Sequence, residues 1–309
     1  ALFSDDVEFQ NLGLVIVDEQ HRFGVAQRLA LKNKGRDVHQ LMMSATPIPR
    51  TLAMSFFADL DVSVIDELPP GRTPIKTRLV NNVRRAEVEG FVLNICRKGQ
   101  QAYWVCPLIE ESETLQLQTA TETLEQLQTA LPELNIGLVH GRMKAAEKAE
   151  VMAEFATGRL NVLVATTVIE VGVDVPNAAL MVIEHAERMG LAQLHQLRGR
   201  VGRGAAESVC VLLFAEPLSE LAKARLKVIY EHTDGFEIAR QDLNIRGPGE
   251  FLGARQSGVP MLRFANLEED LHLLEQAREI APLLIEQNPE IVEAHLARWL
   301  ASREGYLGV

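Results

Sequence analysis

The stretch Leu14-Val15-Ile16-Val17-Asp18-Glu19-Gln20-His21 sets four apolar residues directly before two acids, an amide and an imidazole. A continuous Leu/Val/Ile run of this length predicts a strand buried on both faces of a parallel sheet, because such sheets carry helices on both sides. Carboxylates at the carboxyl end of a parallel strand stand where open α/β sheets place their ligands. A pair there has two uses: one carboxylate holds hydrated Mg2+ and its neighbour polarises an attacking water. An Asp-Glu pair by itself is an ordinary solvated turn. The buried strand before it, and Gln20 and His21 after it, favour the functional reading.

Outward from this stretch the pattern repeats. Gln40–Met43 is a second strand-length run and leads into Ser44-Ala45-Thr46. Leu68-Pro69-Pro70-Gly71-Arg72-Thr73-Pro74 forbids helix and marks a linker. Beyond it strands are predicted at Ile75–Val80, Ala102–Cys106, Ile136–Val139, Val162–Ala165, Leu180–Ile183 and Val209–Phe214. Helices are predicted between them at Val83–Arg97, Ser112–Leu131, Ala145–Ala156 and Leu191–Gly199. Such alternation makes an α/β fold with a doubly wound parallel sheet. From Pro217 the strand signal stops, and Leu218–His232, Phe236–Leu243 and Leu267–Ala301 read as helices around the glycine-rich Arg246–Gly258. The predicted domains are 1–68, a linker at 69–74, 75–216, and a helical extension at 217–309.

Composition narrows the class. The chain has 309 residues and is 47% apolar, enough for substantial cores and too apolar for a disordered chain. No apolar run approaches the ~20 residues that cross a bilayer, so no membrane association is expected. Acids at Asp5, Asp6 and Glu8 break any signal-peptide pattern. Cys96, Cys106 and Cys210 are odd in number and lack metal-ligand spacing, which suits free thiols in a reducing cytoplasm. The net charge of −11 argues against a nucleic-acid partner. Yet Arg188, Arg198, Arg200 and Arg203 cluster within twenty residues against Glu187 alone, and a local basic strip outweighs global charge.

That strip contains Gln196-Leu197-Arg198-Gly199-Arg200-Val201-Gly202-Arg203. At helical spacing Gln196, Arg200 and Arg203 are expected on one face, while Gly199 and Gly202 allow close backbone approach. Two planar, permanently charged guanidiniums on one face suit a phosphoryl group under transfer. The bland reading is a basic helix paired with surface carboxylates.

Together these runs resemble the superfamily 2 helicases. Asp18–His21 resembles their DExH box, motif II; Ser44-Ala45-Thr46 resembles motif III; Gln196–Arg203 resembles motif VI. Val164-Ala165-Thr166-Thr167 through Gly172-Val173-Asp174-Val175-Pro176-Asn177 resembles motif V, and His140-Gly141-Arg142 the family's phosphate-contacting loop. Asp234–Ala239 and Arg246–Gly258 are similar to the translocation motif shared by RecG-type helicases and transcription-repair coupling factors. Asp18–Gly24 and the proline-rich linker favour the RecG type.

The resemblance implies two RecA-like domains, the first partial and the second complete, with Mg2+-ATP bound in the cleft between them. Asp18 then positions Mg2+, Glu19 activates water, and Gln20 and His21 complete the box. Arg200 and Arg203 act as arginine fingers coupled through Gln196. Ser44, Thr46, Gly172 and Asp174 lie near the nucleotide and the domain interface. Arg142, Thr166 and Thr167 touch the DNA backbone, where strand-end hydroxyls and N–H groups can donate to a phosphate. Arg246, Arg255 and Gln256 couple closure to translocation on branched duplex DNA.

No G-x-x-x-x-G-K-[ST] occurs in the sequence, so the backbone ring and lysine that cradle β- and γ-phosphates are not supplied by it. The chain therefore reads as a C-terminal piece of a bacterial helicase, expected not to hydrolyse ATP alone. By the resemblance, a phosphate-loop strand lies between the Leu14–Val17 and Gln40–Met43 strands. Without it they are expected to rearrange, pair with another copy or be poorly ordered. The competing readings are a transcription-repair coupling motor and a non-catalytic DNA- or protein-binding module.

Overall fold

The computed structural model describes residues 2, 4, 6–19, 30, 34–35, 38–44, 61–65, 67, 74–106, 113–166, 175–204, 206–246 and 271–300. The chain divides into two compact units, Val64–Gly247 and Ala1–Ser63 with Pro248–Val309.

The larger unit is built on a parallel sheet of six strands: β3 (Lys76–Asn81), β4 (Gln101–Cys106), β5 (Ile136–Val139), β6 (Val162–Thr166), β7 (Ala178–Ile183) and β8 (Val209–Phe214). Their order across the sheet is β3-β8-β7-β4-β6-β5. Between them run α1 (Arg85–Arg97), α2 (Glu113–Ala130), α3 (Ala145–Ala156) and α4 (Leu191–Arg198), followed by α5 (Glu220–Glu231) and α6 (Gly235–Arg246).

Strand periodicity assigns the two cores. Along β4 every residue is buried, and alternate side chains go to opposite faces. Tyr103 and Val105 join Phe155 of α3, Leu191 and Leu194 of α4, Ile229 of α5 and Ile238 of α6 in one core. Ala102, Trp104 and Cys106 join Val88 and Val92 of α1 and Leu127 of α2 in the other. Helices on both faces explain why β4, β6 and β7 are buried at every position rather than at every second one. Trp104 and Phe155 are fully buried, each burial contributing roughly 2–3 kcal/mol.

Helix ends follow local chemistry. The Asn81 side chain accepts from Val83 N–H at 3.0 Å and opens a single 3-10 turn, Asn82–Arg84, so the α-helix starts at Arg85 rather than at Val83. Ser219 caps α5 by accepting from Ala222 N–H at 3.2 Å. The smaller unit's terminal helix, expected to run unbroken to Ala301, is two: α7 (Leu271–Gln287) and α8 (Pro289–Leu300). Pro289 lacks the N–H that would continue α7 and suits the first turn of α8.

The smaller unit also holds β1 (Leu14–Val17) and β2 (His39–Met42). One expectation fails here. β1 is not buried on both faces: Val15 and Val17 are 8% and 7% exposed, Leu14 and Ile16 55% and 58%, because among the described residues only Leu12 and Val38 pack on that small core. Among the described residues no strand lies between β1 and β2, and the two have closed on each other. They pair directly and in parallel, from Leu14 opposite His39 to Val17 opposite Met42, so their facing N–H and C=O groups satisfy one another.

Candidate nucleotide and nucleic-acid site

The carboxyl edge of the β1–β2 pair carries the first group. Met43 N–H donates to the Val17 carbonyl at 2.8 Å, which extends the ladder one residue past the last strand pair and sets Asp18 and Glu19 at the same edge as Ser44. Asp18 is exposed, and its Oδ1 accepts the Glu19 N–H at 2.8 Å. Glu19 has φ 50, a left-handed conformation that costs a residue with a Cβ about 1–2 kcal/mol. Strain of this sort at a strand end is an indicator of a functional position. Mg2+ in nucleotide sites takes one or two carboxylates and fills its shell from water and phosphate. An exposed Asp18 at a strand end fits that need, and among the described residues no group of three or more His, Cys, Asp or Glu is arranged to hold a metal unaided. Gln20, His21 and Thr46 lie outside the described residues.

In the larger unit the arginine-rich run departs from its expected shape. α4 ends at Arg198, with Gly199 as its C-cap. Arg200 N–H donates to Leu197 O at 3.0 Å in a closing turn, and Gly202 then takes φ 77. A positive φ cannot continue a right-handed helix, so Gln196, Arg200 and Arg203 do not share a helical face. Gln196 lies on the helix, half-buried Arg200 on the turn, and exposed Arg203 in the loop after it. Close approach at both glycines explains the course of this loop. A Cβ on Gly202 would lie 2.9 Å from Ile75 Cγ1, and one on Gly204 2.3 Å from the Pro176 carbonyl oxygen.

What holds the loop is Arg198, 3% exposed. Its Nη1 donates to Ile229 O (2.8 Å), His232 O (2.9 Å) and Thr77 Oγ1 (3.3 Å), and its Nη2 to Thr233 O (3.3 Å). The guanidinium thus satisfies carbonyls left over at the end of α5. Burial lowers its pKa from the ordinary value, with Cys210 opposing; an arginine stays charged nonetheless. Beside it His195 is pushed down to about 4, by burial first and then by the Arg198 charge, with Asp234 opposing. Arg198 was counted in the sequence only as part of a basic strip. Its spacing from Leu191 and Leu194 carries the missed signal, since it falls on the helix's buried stripe.

The carboxyl edge of the six-stranded sheet carries the third group. Thr166 ends β6 at 4% exposure, Arg142 is exposed in the loop after β5, and Lys148 Nζ donates to Gly141 O at 3.0 Å, bracing that loop. Thr167, Gly172 and Asp174 lie outside the described residues, as do Arg255 and Gln256; of Arg246 only its place as the last residue of α6 is described. On the same edge is a network the sequence did not announce. Glu184, 5% exposed at the end of β7, accepts from Trp104 Nε1 at 2.9 Å and forms a close ion pair with Arg85 Nη1. The Arg85 guanidinium also lies 5.0 Å over the Trp104 ring and pairs with Glu89 at 3.0 Å. Cys96, Cys106 and Cys210 are buried free thiols, and burial pushes the Cys106 thiol up to about 12, which removes it as a nucleophile.

Residues 88–205 match the profile of the helicase conserved C-terminal domain, and residues 232–300 that of ATP-dependent DNA helicase RecG, domain 3, C-terminal. The chain is 58% identical over 306 residues to the RecG helicase of Acidithiobacillus ferridurans, covering 99% of this chain and 45% of that protein. It is 58% identical over 311 residues to that of Escherichia coli K12, with the same two coverages. The chain thus spans a little under half the length of these curated relatives. A solved structure of RecG bound to a three-way DNA junction superposes with a TM-score of 0.67 at 51% identity, over 88% of this chain and 34% of that one. The helicase MrfA, bound to DNA and AMPPNP, shares the fold at a TM-score of 0.51 and 17% identity, over 86% of this chain and 40% of that one. Along 99% of its length the chain is thus similar to ATP-dependent DNA helicases of the RecG type.

Proposed function

We propose that this chain is the part of an ATP-dependent DNA translocase that carries its second RecA-like domain and helical extension, and that the longer protein remodels branched duplex DNA such as stalled forks and Holliday junctions. The observation that carries the reading is 58% identity extending over 99% of the chain, so the helicase-like runs and the segment after them match one family together. Match of 232–300 to the RecG-specific profile favours this over a transcription-repair coupling motor.

In this reading the domains are 1–68, 75–216 and 217–309, joined by the linker at 69–74. Asp18 holds Mg2+ and Glu19 orients water, with Gln20 and His21 completing the box; bound Mg2+-ATP supplies the phosphoryl group and its charge neutralisation. Arg200 and Arg203 stabilise charge on that group, Gln196 coupled to them. Ser44, Thr46, Gly172 and Asp174 sense the nucleotide. Arg142, Thr166 and Thr167 donate to DNA phosphates, and Arg246, Arg255 and Gln256 transmit movement to the duplex. The protein works in the bacterial cytoplasm.

The test uses the longer natural protein and this chain side by side. DNA-stimulated ATP hydrolysis is expected from the longer protein, to fall about 10³-fold in Arg200→Ala or Arg203→Ala, and to be absent from this chain. Full activity in both variants sinks the reading, and so does Mg2+-dependent turnover by this chain.

A further inference from the structure

Among the described residues β3 is the outermost strand on its side of the six-stranded sheet, paired only with β8. Lys76 N–H donates to the Ser208 carbonyl at 3.0 Å. Successive residues of a strand turn their backbone groups to opposite sides, so Lys76, Arg78 and Val80 face β8. Thr77 and Leu79 turn N–H and C=O outward, where no described strand meets them. Such a row of donors and acceptors is a template for one more strand.

This edge floors a groove of about 1370 Å³. α1 forms one wall and the end of α5 the other, where Tyr230 stands 55% exposed. Side chains of β3 divide between the two walls. Arg78 lies 5.3 Å over the Phe91 ring, and Val80 joins the core under α1. On the other side Thr77 Oγ1 accepts from Arg198, and Leu79 packs on the core under α4 and α5. A strand entering the groove has to alternate in the same way.

Charge decides what enters. Lys76, Arg78 and Arg84 stand on the α1 side against Glu87 and Glu207. Glu207 pairs with Lys76 and Glu87 with Arg84, which leaves the charge of Arg78 in excess. On the α5 side the charge is even, since Glu231 is partnered by Lys227 at 4.0 Å. Cations on an edge strand ordinarily keep copies of a protein apart. A second β3 is disfavoured here for that reason, because it brings its own Lys76 and Arg78 to the same face.

We propose that the free edge of β3 docks an extended segment of another protein as a seventh strand, with acidic residues toward Arg78 and apolar residues toward Leu79 and Tyr230. Backbone pairing supplies the affinity and the alternation supplies the selection. Nucleic acid has no row of N–H and C=O groups to match Thr77 and Leu79. The site is independent of the hydrolysis and DNA contacts assigned above.

The probe is a capped, labelled six-residue peptide alternating glutamate with valine, titrated into this chain by fluorescence anisotropy. A peptide alternating lysine with valine is expected to bind about tenfold more weakly, and Arg78→Glu to invert that order. A copy of the acidic peptide methylated on its backbone nitrogens keeps its side chains and is expected not to bind. Because Arg78→Glu can disturb the fold, amide exchange is also followed in the unaltered chain by nuclear magnetic resonance. Saturating peptide is expected to slow exchange at Thr77 and Leu79, and to leave Arg78 and Val80, already bonded to β8, as they were. Failure of every peptide to bind overturns the proposal, as do equal binding of acidic and basic peptides and full binding of the methylated one. Unprotected Thr77 and Leu79 amides overturn it too, and so does an Arg78→Glu chain that still prefers the acidic peptide. A short DNA duplex is titrated in parallel; if it binds where the peptides do not, and Arg78→Glu removes that binding, the edge is a nucleic-acid contact and the proposal falls.

Discussion

Arg198 Nη1 donates to the carbonyl oxygen of Ile229 at 2.8 Å, across 31 residues of sequence. That contact joins the last residue of α4, two positions before Arg200, to the last turn of α5. With the bonds to His232 O, Thr233 O and Thr77 Oγ1, it makes one buried cation the anchor of the arginine-bearing loop.

Arg198→Met removes this anchor and leaves several carbonyls facing apolar carbon. Loss of about 3 kcal/mol in unfolding stability is expected, read as a lower urea midpoint in circular dichroism at unchanged slope. Arg198→Lys reaches fewer acceptors and is expected to fall between. A Met variant as stable as the unaltered chain would show the anchor to be dispensable.

Glu184→Gln breaks the ion pair with Arg85 while keeping an acceptor for Trp104 Nε1. Arg85 is then a part-buried charge with Glu89 as its remaining ionic partner, and a loss of about 3 kcal/mol is expected. Adding Arg85→Met to Glu184→Gln is expected to cost less than the sum of the two single changes. A double-mutant cycle by chemical unfolding checks this; strict additivity contradicts the network.

Gly202→Ala places a Cβ at φ 77 and 2.9 Å from Ile75. The strain and the overlap together are expected to cost about 2 kcal/mol. Gly204→Ala is expected to cost more, since the atom met at 2.3 Å is the backbone oxygen of Pro176, which cannot rotate away. Thermal unfolding of both variants ranks them, and the reverse ranking contradicts the packing described.

His195 gives the larger unit an acid sensitivity whose sign is fixed. Its folded pKa, pushed down to about 4 by burial and then by Arg198, lies below the ordinary value of about 6.5. The unfolded chain therefore binds more protons between these values, and stability falls as pH drops from about 6.5 towards about 4. Above that window the group contributes nothing to pH dependence. His195→Gln is expected to flatten part of this decline in urea midpoints measured across the window; an unchanged profile assigns the acid loss elsewhere.

The central strands of the larger sheet were legible because burial on both faces favours apolar residues at consecutive positions, as in Ala102–Cys106 and Val162–Ala165. Asp18, Glu19 and Ser44 were legible for a related reason: strand-end polar residues stand out directly after an apolar run. The same logic misled at β1. An apolar run records what a strand can bury, and Leu14 and Ile16 stand exposed beside buried Val15 and Val17. It also misled at Gln196–Arg203, where helical spacing was extended through Gly202.

Sequence by itself determined the strand and helix order, the α/β class, and the chemistry gathered at strand ends, since periodicity and residue type are local properties. Tertiary structure decided which polar groups share a partner. Arg198 as an anchor and Glu184 with Arg85 and Trp104 both pair residues from separate segments. Their energies come from desolvation and hydrogen bonding, which depend on where the folded chain excludes water.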